Sequence, residues 1–189
     1  WVLISEEQIH FFQNVMQIDR SSILKIWNGY SRTSISINSP ILPYLKKDTF
    51  LIGMAGRGVK EKGWELAIEA VRRMPKNCHL ILIGDSPYLQ ELKKKSVSVT
   101  NVTFLGFVEE PVKVIEKCDV LLLPTLFPYE SLPNVIIESL SVGVPVIATR
   151  VGDIEKMITD NYSDGKAGSL LEMVDGKIDV KHISEKIME

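Results

Sequence analysis

The chain has 189 residues, of which 45% are hydrophobic and 24% are charged. This length fits one ordinary α/β domain with some surplus, and the composition is that of a globular protein, which excludes a disordered chain. The formal net charge of −2 gives no overall attraction to nucleic acid or to an anionic membrane surface. We therefore expect no nucleic acid partner, and any phosphate binding must come from a local site.

The cysteines and the apolar runs bear on the cellular compartment. Cys78 and Cys118 each stand at the start of an apolar run, and their spacing fits neither a metal site nor a redox motif. We interpret them as small buried hydrophobic residues in a reducing cytosol. No apolar run approaches the roughly 18 residues that cross a bilayer. We expect a cytoplasmic protein and leave open a peripheral attachment at the inner face of the membrane.

The first 29 residues do not share the pattern of the rest. Trp1 to Ser5 predicts a strand, and Ser5-Glu6-Glu7-Gln8 resembles a helix start that leads into Ile9 to Val15. Asn28-Gly29 is a turn signal, and we place a domain boundary there. Because the chain opens inside an apolar segment rather than at a methionine, we interpret it as a piece of a longer protein.

From Phe50 onward, short apolar runs alternate with amphipathic stretches. The predicted strands are Phe50 to Ala55, His79 to Gly84, Val102 to Leu105, Val120 to Pro124, Val146 to Thr149 and Gly168 to Leu171. The predicted helices are Gly63 to Met74, Pro87 to Lys95, Pro111 to Lys117, Asn134 to Val142 and Ile154 to Ile158. Uninterrupted apolarity in the strands predicts burial on both faces, as in a parallel sheet. The alternation predicts a doubly wound, Rossmann-like α/β fold, whose ligands bind beyond the carboxyl ends of the strands.

The first candidate site is the glycine-rich turn after the strand that ends at Ala55. Gly56 lets the backbone approach a ligand closely, and Arg57 and Lys62 supply positive charge for phosphate. The spacing is neither that of a Walker loop nor that of the dinucleotide fingerprint. Taken alone, a solvated basic turn before a helix explains the pattern slightly better than a site does.

The second candidate is Gly84-Asp85-Ser86-Pro87, which joins a strand to a helix. Ser86 is placed to cap the helix, and Pro87 falls in its first turn. Helix capping and ligand binding explain this turn equally well.

The third candidate is the segment that carries Glu130 and Glu138. Glu130 lies in the loop after a buried strand, and Glu138 lies in the second turn of the next helix. Both carboxylates could accept hydrogen bonds from sugar hydroxyls, and free N–H groups at the helix start could hold pyrophosphate. The alternative is that both side chains are merely solvated. For Glu138 this alternative fits poorly, because the apolar residues Ile136-Ile137 and Leu140 flank it and a solvated helix face would be polar.

Metal sites have little support in the sequence. The three histidines share no metal-ligand spacing with carboxylates or cysteines, and the chain contains no Asp-x-Asp pair. We therefore expect neither a metal nor another cofactor.

Taken in order, these motifs resemble the C-terminal domain of the group 1 (family four) glycosyltransferases. Arg57 and Lys62 resemble the element of that family that binds the donor diphosphate, and Gly106-Phe107-Val108 resembles its base-contacting loop. Glu130 and Glu138 match its Glu-x7-Glu motif. In that family the first glutamate contacts hydroxyls of the donor sugar and the second contacts the ribose.

The resemblance implies a retaining, metal-independent enzyme of the two-domain GT-B architecture, with a nucleotide-sugar donor and an acceptor sugar or lipid-linked sugar. It implies that residues 1–29 end the N-terminal acceptor domain, that residues 30–189 form the donor-binding domain, and that this part alone binds donor without transferring sugar. It assigns Glu130 as the catalytic residue. The implied donor-binding residues are Gly56, Arg57, Lys62, Asp85, Phe107, Val108, Leu132, Pro133, Asn134, Val135 and Glu138.

Two departures from the family pattern leave the donor sugar open. Glu130-Ser131-Leu132-Pro133 stands where the family often has Glu-Gly-Phe-Gly, and Pro133 has no N–H to donate. Asp153 stands where a second glycine is common. A GT-B-like nucleotide-sugar epimerase, a phosphorylase and a non-catalytic nucleotide-binding domain remain alternatives.

Overall fold

The computed structural model describes residues 1–29, 46, 48–159 and 167–189, apart from the side chain of Glu7. The strands are β1 (Val2–Leu3), β2 (Leu24–Lys25), β3 (Phe50–Ala55), β4 (Cys78–Ile83), β5 (Val102–Gly106), β6 (Val120–Leu123), β7 (Val146–Thr149) and β8 (Gly168–Leu171). The helices are α1 (Glu6–Asn14), α2 (Trp64–Arg72), α3 (Pro87–Lys95), α4 (Val112–Ile115), α5 (Asn134–Ser141), α6 (Ile154–Ile158) and α7 (Val180–Met188). Short 3-10 helices cover Arg20–Ser22 and Lys60–Lys62.

Six of the described strands form one sheet in the order β5-β4-β3-β6-β7-β8, and every pair in it is parallel. The chain runs outward from β3 to β5, then returns to place β6 beside β3 and runs outward the other way. The strand order therefore reverses between β3 and β6, which is the switch point where such sheets bind ligands.

Alternate residues of each strand supply two separate cores. In β4, Leu80 and Leu82 join a core that includes buried residues of α2, α3 and α7, whereas Ile81 and Ile83 join a core that includes residues of α4, α5 and α6. Helices therefore cover both faces of the sheet, and the doubly wound, Rossmann-like fold is confirmed. Cys78 and Cys118 are buried free thiols, as predicted.

The N-terminal segment forms a small unit with its own core. β1 and β2 pair in parallel apart from the main sheet, and Leu3, Ile9 and Ile23 are buried together. The Ser5 hydroxyl accepts a hydrogen bond from the Gln8 N–H, which caps α1 where the sequence predicts its start. The division at Asn28-Gly29 stays a prediction, since the residues directly after it lie outside the described part.

Of the helices predicted from Gly63 onward, α2 (Trp64–Arg72), α4 (Val112–Ile115) and α5 (Asn134–Ser141) are shorter than expected, and a further helix, α7, was missed. α4 ends at Ile115 rather than Lys117, because Lys117 and Cys118 donate to carbonyls three residues back and tighten the last turn. α7 was not predicted at all, although Asp179 caps it and Ile183 and Ile187 bury one face. Within the described ranges, no helix has the length and apolarity that a membrane span requires.

Candidate functional site

Two connections meet at the switch point: the one between β3 and α2, and the one between β6 and α5. The Leu126 N–H donates to the Glu61 carbonyl at 2.7 Å. Gly63 has a φ of 77°, and a Cβ placed on it would lie 2.0 Å from the Pro124 carbonyl oxygen. Only glycine fits this left-handed position and this close approach. The packing of these two connections brings Lys62 to Glu130.

Lys62 and Glu130 form an ion pair with little access to solvent. The Lys62 Nζ contacts Glu130 Oε1, and the two side chains are 16% and 10% exposed. The Thr125 hydroxyl lies 3.2 Å from the same carboxylate oxygen and 3.3 Å from the Glu61 carbonyl. The pair therefore bridges the basic turn and the Glu130 loop.

The backbone of Glu130 rests directly on Gly152. This glycine has a φ of 55°, and a Cβ built on it would lie 1.4 Å from the Glu130 carbonyl oxygen. Gly152 thus sets how closely the Glu130 loop approaches the connection between β7 and α6.

We expect Gly152→Ala to destabilise the fold and displace Glu130. Gly143→Ala is the matched control, because Gly143 has a φ of 78° but nothing lies within 4 Å of an added Cβ. The left-handed conformation should cost the control about 1 kcal/mol. Gly152→Ala should cost about 2 kcal/mol more, because the clash adds to this strain. Urea unfolding measures both, and equal losses would show that the contact with Glu130 does not restrict this position.

A cavity of about 430 Å³ opens at the carboxyl ends of β3, β4 and β5. Eight of the predicted site residues line it: Gly56, Arg57, Asp85, Phe107, Val108, Asn134, Val135 and Glu138. Lys62, Glu130, Leu132 and Pro133 do not line it. Within the described chain, the Arg57 guanidinium makes no hydrogen bond or ion pair, so its charge is available to a ligand.

Helix α5 presents its first turn to this cavity. Pro133 precedes it, and no side chain among the described residues caps its first turn. The N–H groups of Asn134 and Val135 have no acceptor one turn back within the helix, so they can serve an anion. One turn later, the half-buried Glu138 faces the same cavity, and burial raises the pKa of its carboxyl group.

The turn that contains Ser86 holds the basic turn in place. The Ser86 hydroxyl accepts from the Leu89 N–H at 3.0 Å, as a helix cap, and donates to the Gly58 carbonyl at 2.7 Å. A Cβ on Gly58 would lie 2.2 Å from that hydroxyl oxygen. Ser86 is therefore a cap that also fixes the loop carrying Arg57.

Sequence reasoning missed three residues that shape the site: Thr125, Gly152 and Asn28. Each lies in a segment that the sequence singles out, but its role depends on a neighbour that is distant in the chain. Within the described ranges, no three His, Cys, Asp or Glu side chains cluster as metal ligands would. Metal independence stays a prediction.

Comparisons with known proteins agree on one family. Residues 49–188 match the family described as Glycosyl transferases group 1. An uncharacterized glycosyltransferase of Methanocaldococcus jannaschii is 35% identical over 109 residues, which cover 54% of this chain and 26% of that protein. The capsular polysaccharide biosynthesis glycosyltransferase CapM of Staphylococcus aureus is 30% identical over 151 residues, which cover 76% of this chain and 37% of that protein.

Among solved structures, the Anabaena protein HepE in complex with UDP and glucose superposes with a TM-score of 0.73 at 22% identity. The match covers 98% of this chain and 52% of that one. At this identity the likeness shows a shared fold. The chain spans about half of that structure, and 26% and 37% of the two curated relatives.

Proposed function

The chain belongs to the group 1 glycosyl transferase family, and from this we propose that it provides the nucleotide-sugar site of a retaining glycosyltransferase. The donor is a nucleoside diphosphate sugar, and the acceptor is a sugar or lipid-linked sugar held by a second domain of a GT-B enzyme. The pathway class is cell-surface polysaccharide biosynthesis, in keeping with the name of the relative CapM. The proposed location is the cytoplasmic face of the membrane.

The observation that carries this proposal is the cavity at the strand ends. It combines the Arg57 guanidinium and the first turn of α5, which have no side-chain partner within the described ranges, with the carboxylate of Glu138. The Arg57 guanidinium and the N–H groups of α5 can bind a diphosphate, and the Glu138 carboxylate can accept hydrogen bonds from ribose hydroxyls. Phe107, which is 79% exposed, offers a ring against which a base can stack. HepE, which shares this fold, was solved with UDP and glucose.

The proposed chemistry uses the cavity to stabilise the leaving group. As the bond between the anomeric carbon and the diphosphate oxygen breaks, Arg57, Lys62 and the N–H groups of α5 hold the developing negative charge. Glu130 positions the sugar through its hydroxyls. The acceptor hydroxyl then attacks the anomeric carbon on the face from which the diphosphate leaves and passes its proton to the departing diphosphate oxygen, which retains the anomeric configuration.

Calorimetric titration with UDP, GDP and ADP tests the proposal directly. We expect at least one of them to bind, with the same affinity in EDTA, because protein groups rather than a metal hold the phosphates. Failure of all three to bind would refute the donor site. Loss of binding in EDTA would refute the metal-free mode of diphosphate binding.

Glu138→Gln should remove the preference for ribose. Wild type should bind the ribonucleotide about tenfold more tightly than a deoxy analogue, because a carboxylate accepts strong hydrogen bonds from hydroxyls. The wild-type preference should fall as the pH is lowered, and because burial raises the pKa of Glu138, protonation begins above the range of an ordinary glutamate. At any pH the variant should show little preference for the ribonucleotide over the deoxy form that lacks the hydroxyl accepted by Glu138.

The ratio of the two dissociation constants is the quantity to measure, since titration of the phosphates affects both nucleotides alike. Glu185→Gln on α7 is the control, and its ratio should match that of wild type. A wild-type protein that does not distinguish the two sugars would leave Glu138 with a structural role only.

A further inference from the structure

The side chain of Asn28 reaches from the N-terminal segment to the start of α5. Its Nδ2 group donates to the Asn134 Oδ1 at 3.0 Å and to the Leu132 carbonyl at 3.4 Å. These two acceptors flank Pro133, the residue that lacks an N–H. Asn28 is thus tied to both sides of the turn that begins the helix.

This arrangement uses both hydrogens of the Asn28 amide and leaves its Oδ1 as an acceptor. Asn28 and Gly29 line a second cavity, of about 270 Å³, together with Asn134, Ile137 and Glu138. Asn134 and Glu138 also line the larger cavity. The Glu138 side chain therefore borders both spaces, one toward the base loop and one toward the N-terminal segment.

The hydrogen-bonding groups that line the second cavity indicate which kind of ligand it can bind. Its side chains offer two acceptors, the Glu138 carboxylate and the Asn28 Oδ1, and one donor group, the Asn134 Nδ2, so a ligand whose hydroxyls both donate and accept suits it. A phosphate group would be repelled by Glu138, whereas neighbouring hydroxyls can each donate to one of the two acceptors.

We propose that Asn28 is a specificity-determining residue of the donor site, whose Oδ1 accepts one ribose hydroxyl while Glu138 accepts the other. This proposal rests on the nucleotide-sugar site proposed above and extends it to a residue outside the region that matches the family. It makes the donor site depend on the N-terminal segment, which contributes a hydrogen-bond acceptor to the ribose.

The test is calorimetric titration of Asn28→Ala with the best-bound nucleoside diphosphate and with its 2′-deoxy and 3′-deoxy forms. The variant should bind the ribonucleotide about three- to tenfold more weakly than wild type. For one of the two deoxy forms this loss should vanish, because the hydroxyl that Asn28 accepts is absent. Asn14→Ala, an exposed asparagine at the end of α1, is the matched control and should bind as wild type does.

Asn134→Ala distinguishes two roles of Asn28: accepting a hydrogen bond from the ribose through its Oδ1, and positioning the start of α5 through its amide group. It removes one acceptor of the Asn28 amide but leaves Oδ1 in place, so it should keep the preference for the ribonucleotide over both deoxy forms. Equal losses for all three nucleotides in Asn28→Ala would overturn the proposal and leave Asn28 only a role in positioning α5. Unchanged affinities would overturn it too. If wild type binds no nucleoside diphosphate, the proposed function itself fails.

Discussion

Replacing Lys62 with methionine should lower the free energy of unfolding by about 3 kcal/mol. The ion pair with Glu130 is nearly buried, and the variant keeps the length of the side chain but leaves the carboxylate without a cation. Removing one member of a buried pair costs roughly 3–5 kcal/mol, because the other charge stays desolvated. Urea unfolding at neutral pH measures the loss.

The double variant Lys62→Met with Glu130→Gln identifies the cause. Glu130→Gln removes the stranded charge, so the double variant should recover much of the stability that Lys62→Met loses. Lys181→Met is the control, since Lys181 and Glu185 form an exposed pair with side chains 76% and 55% exposed. Its stability should be unchanged. A loss in Lys62→Met no larger than that of the control would show that the pair does not stabilise the fold.

This pair also affects the proposed site. Without donor, the charge of Lys62 is balanced by Glu130, so a diphosphate must compete with that carboxylate for the ammonium group. A sugar whose hydroxyls donate hydrogen bonds to Glu130 would favour the exchange. Of the two cations in the predicted site, Arg57 is the one that has no partner among the described residues, so the diphosphate should depend on it first.

The sheet strands could be predicted because each is short, apolar and buried on both faces. β3, β7 and β8 have the predicted bounds, β5 and β6 differ by one residue at one end, and β4 is shifted by one residue at both ends. Local signals also placed α3, whose cap Ser86 and first-turn Pro87 lie together in the chain. In these elements, the residues that determine the structure lie within the element itself or next to it in the sequence.

The remaining features could not be predicted because their causes are distant in the chain. Lys62 and Glu130 are 68 residues apart, and nothing in either segment indicates that they pair. The left-handed Gly152 is explained only by the Glu130 carbonyl that lies against it. The sequence indicates only that Asn28 lies in a turn. Its contact with Asn134 of α5, 106 residues away, depends on the fold.

Arg57→Ala should weaken the binding of a nucleoside diphosphate about ten- to a hundredfold and leave binding of the nucleoside nearly unchanged. The guanidinium lines the cavity without a partner among the described residues, so it can form charged hydrogen bonds with phosphate, each of which has an effect of this size. The Arg57 carbonyl accepts from the Trp64 indole N–H at 3.2 Å, and the substitution preserves this contact. The turn should therefore keep its shape.

The comparison of diphosphate, monophosphate and nucleoside shows where Arg57 acts. Arg73→Ala is the matched control, because Arg73 pairs with Glu69 on the exposed face of α2, away from the cavity. Calorimetry should show the largest loss for the diphosphate and no loss for any ligand in the control. If Arg57→Ala weakens nucleoside and diphosphate equally, the residue supports the shape of the cavity rather than the phosphates. In that case the N–H groups of α5 and Lys62 must hold the diphosphate without it.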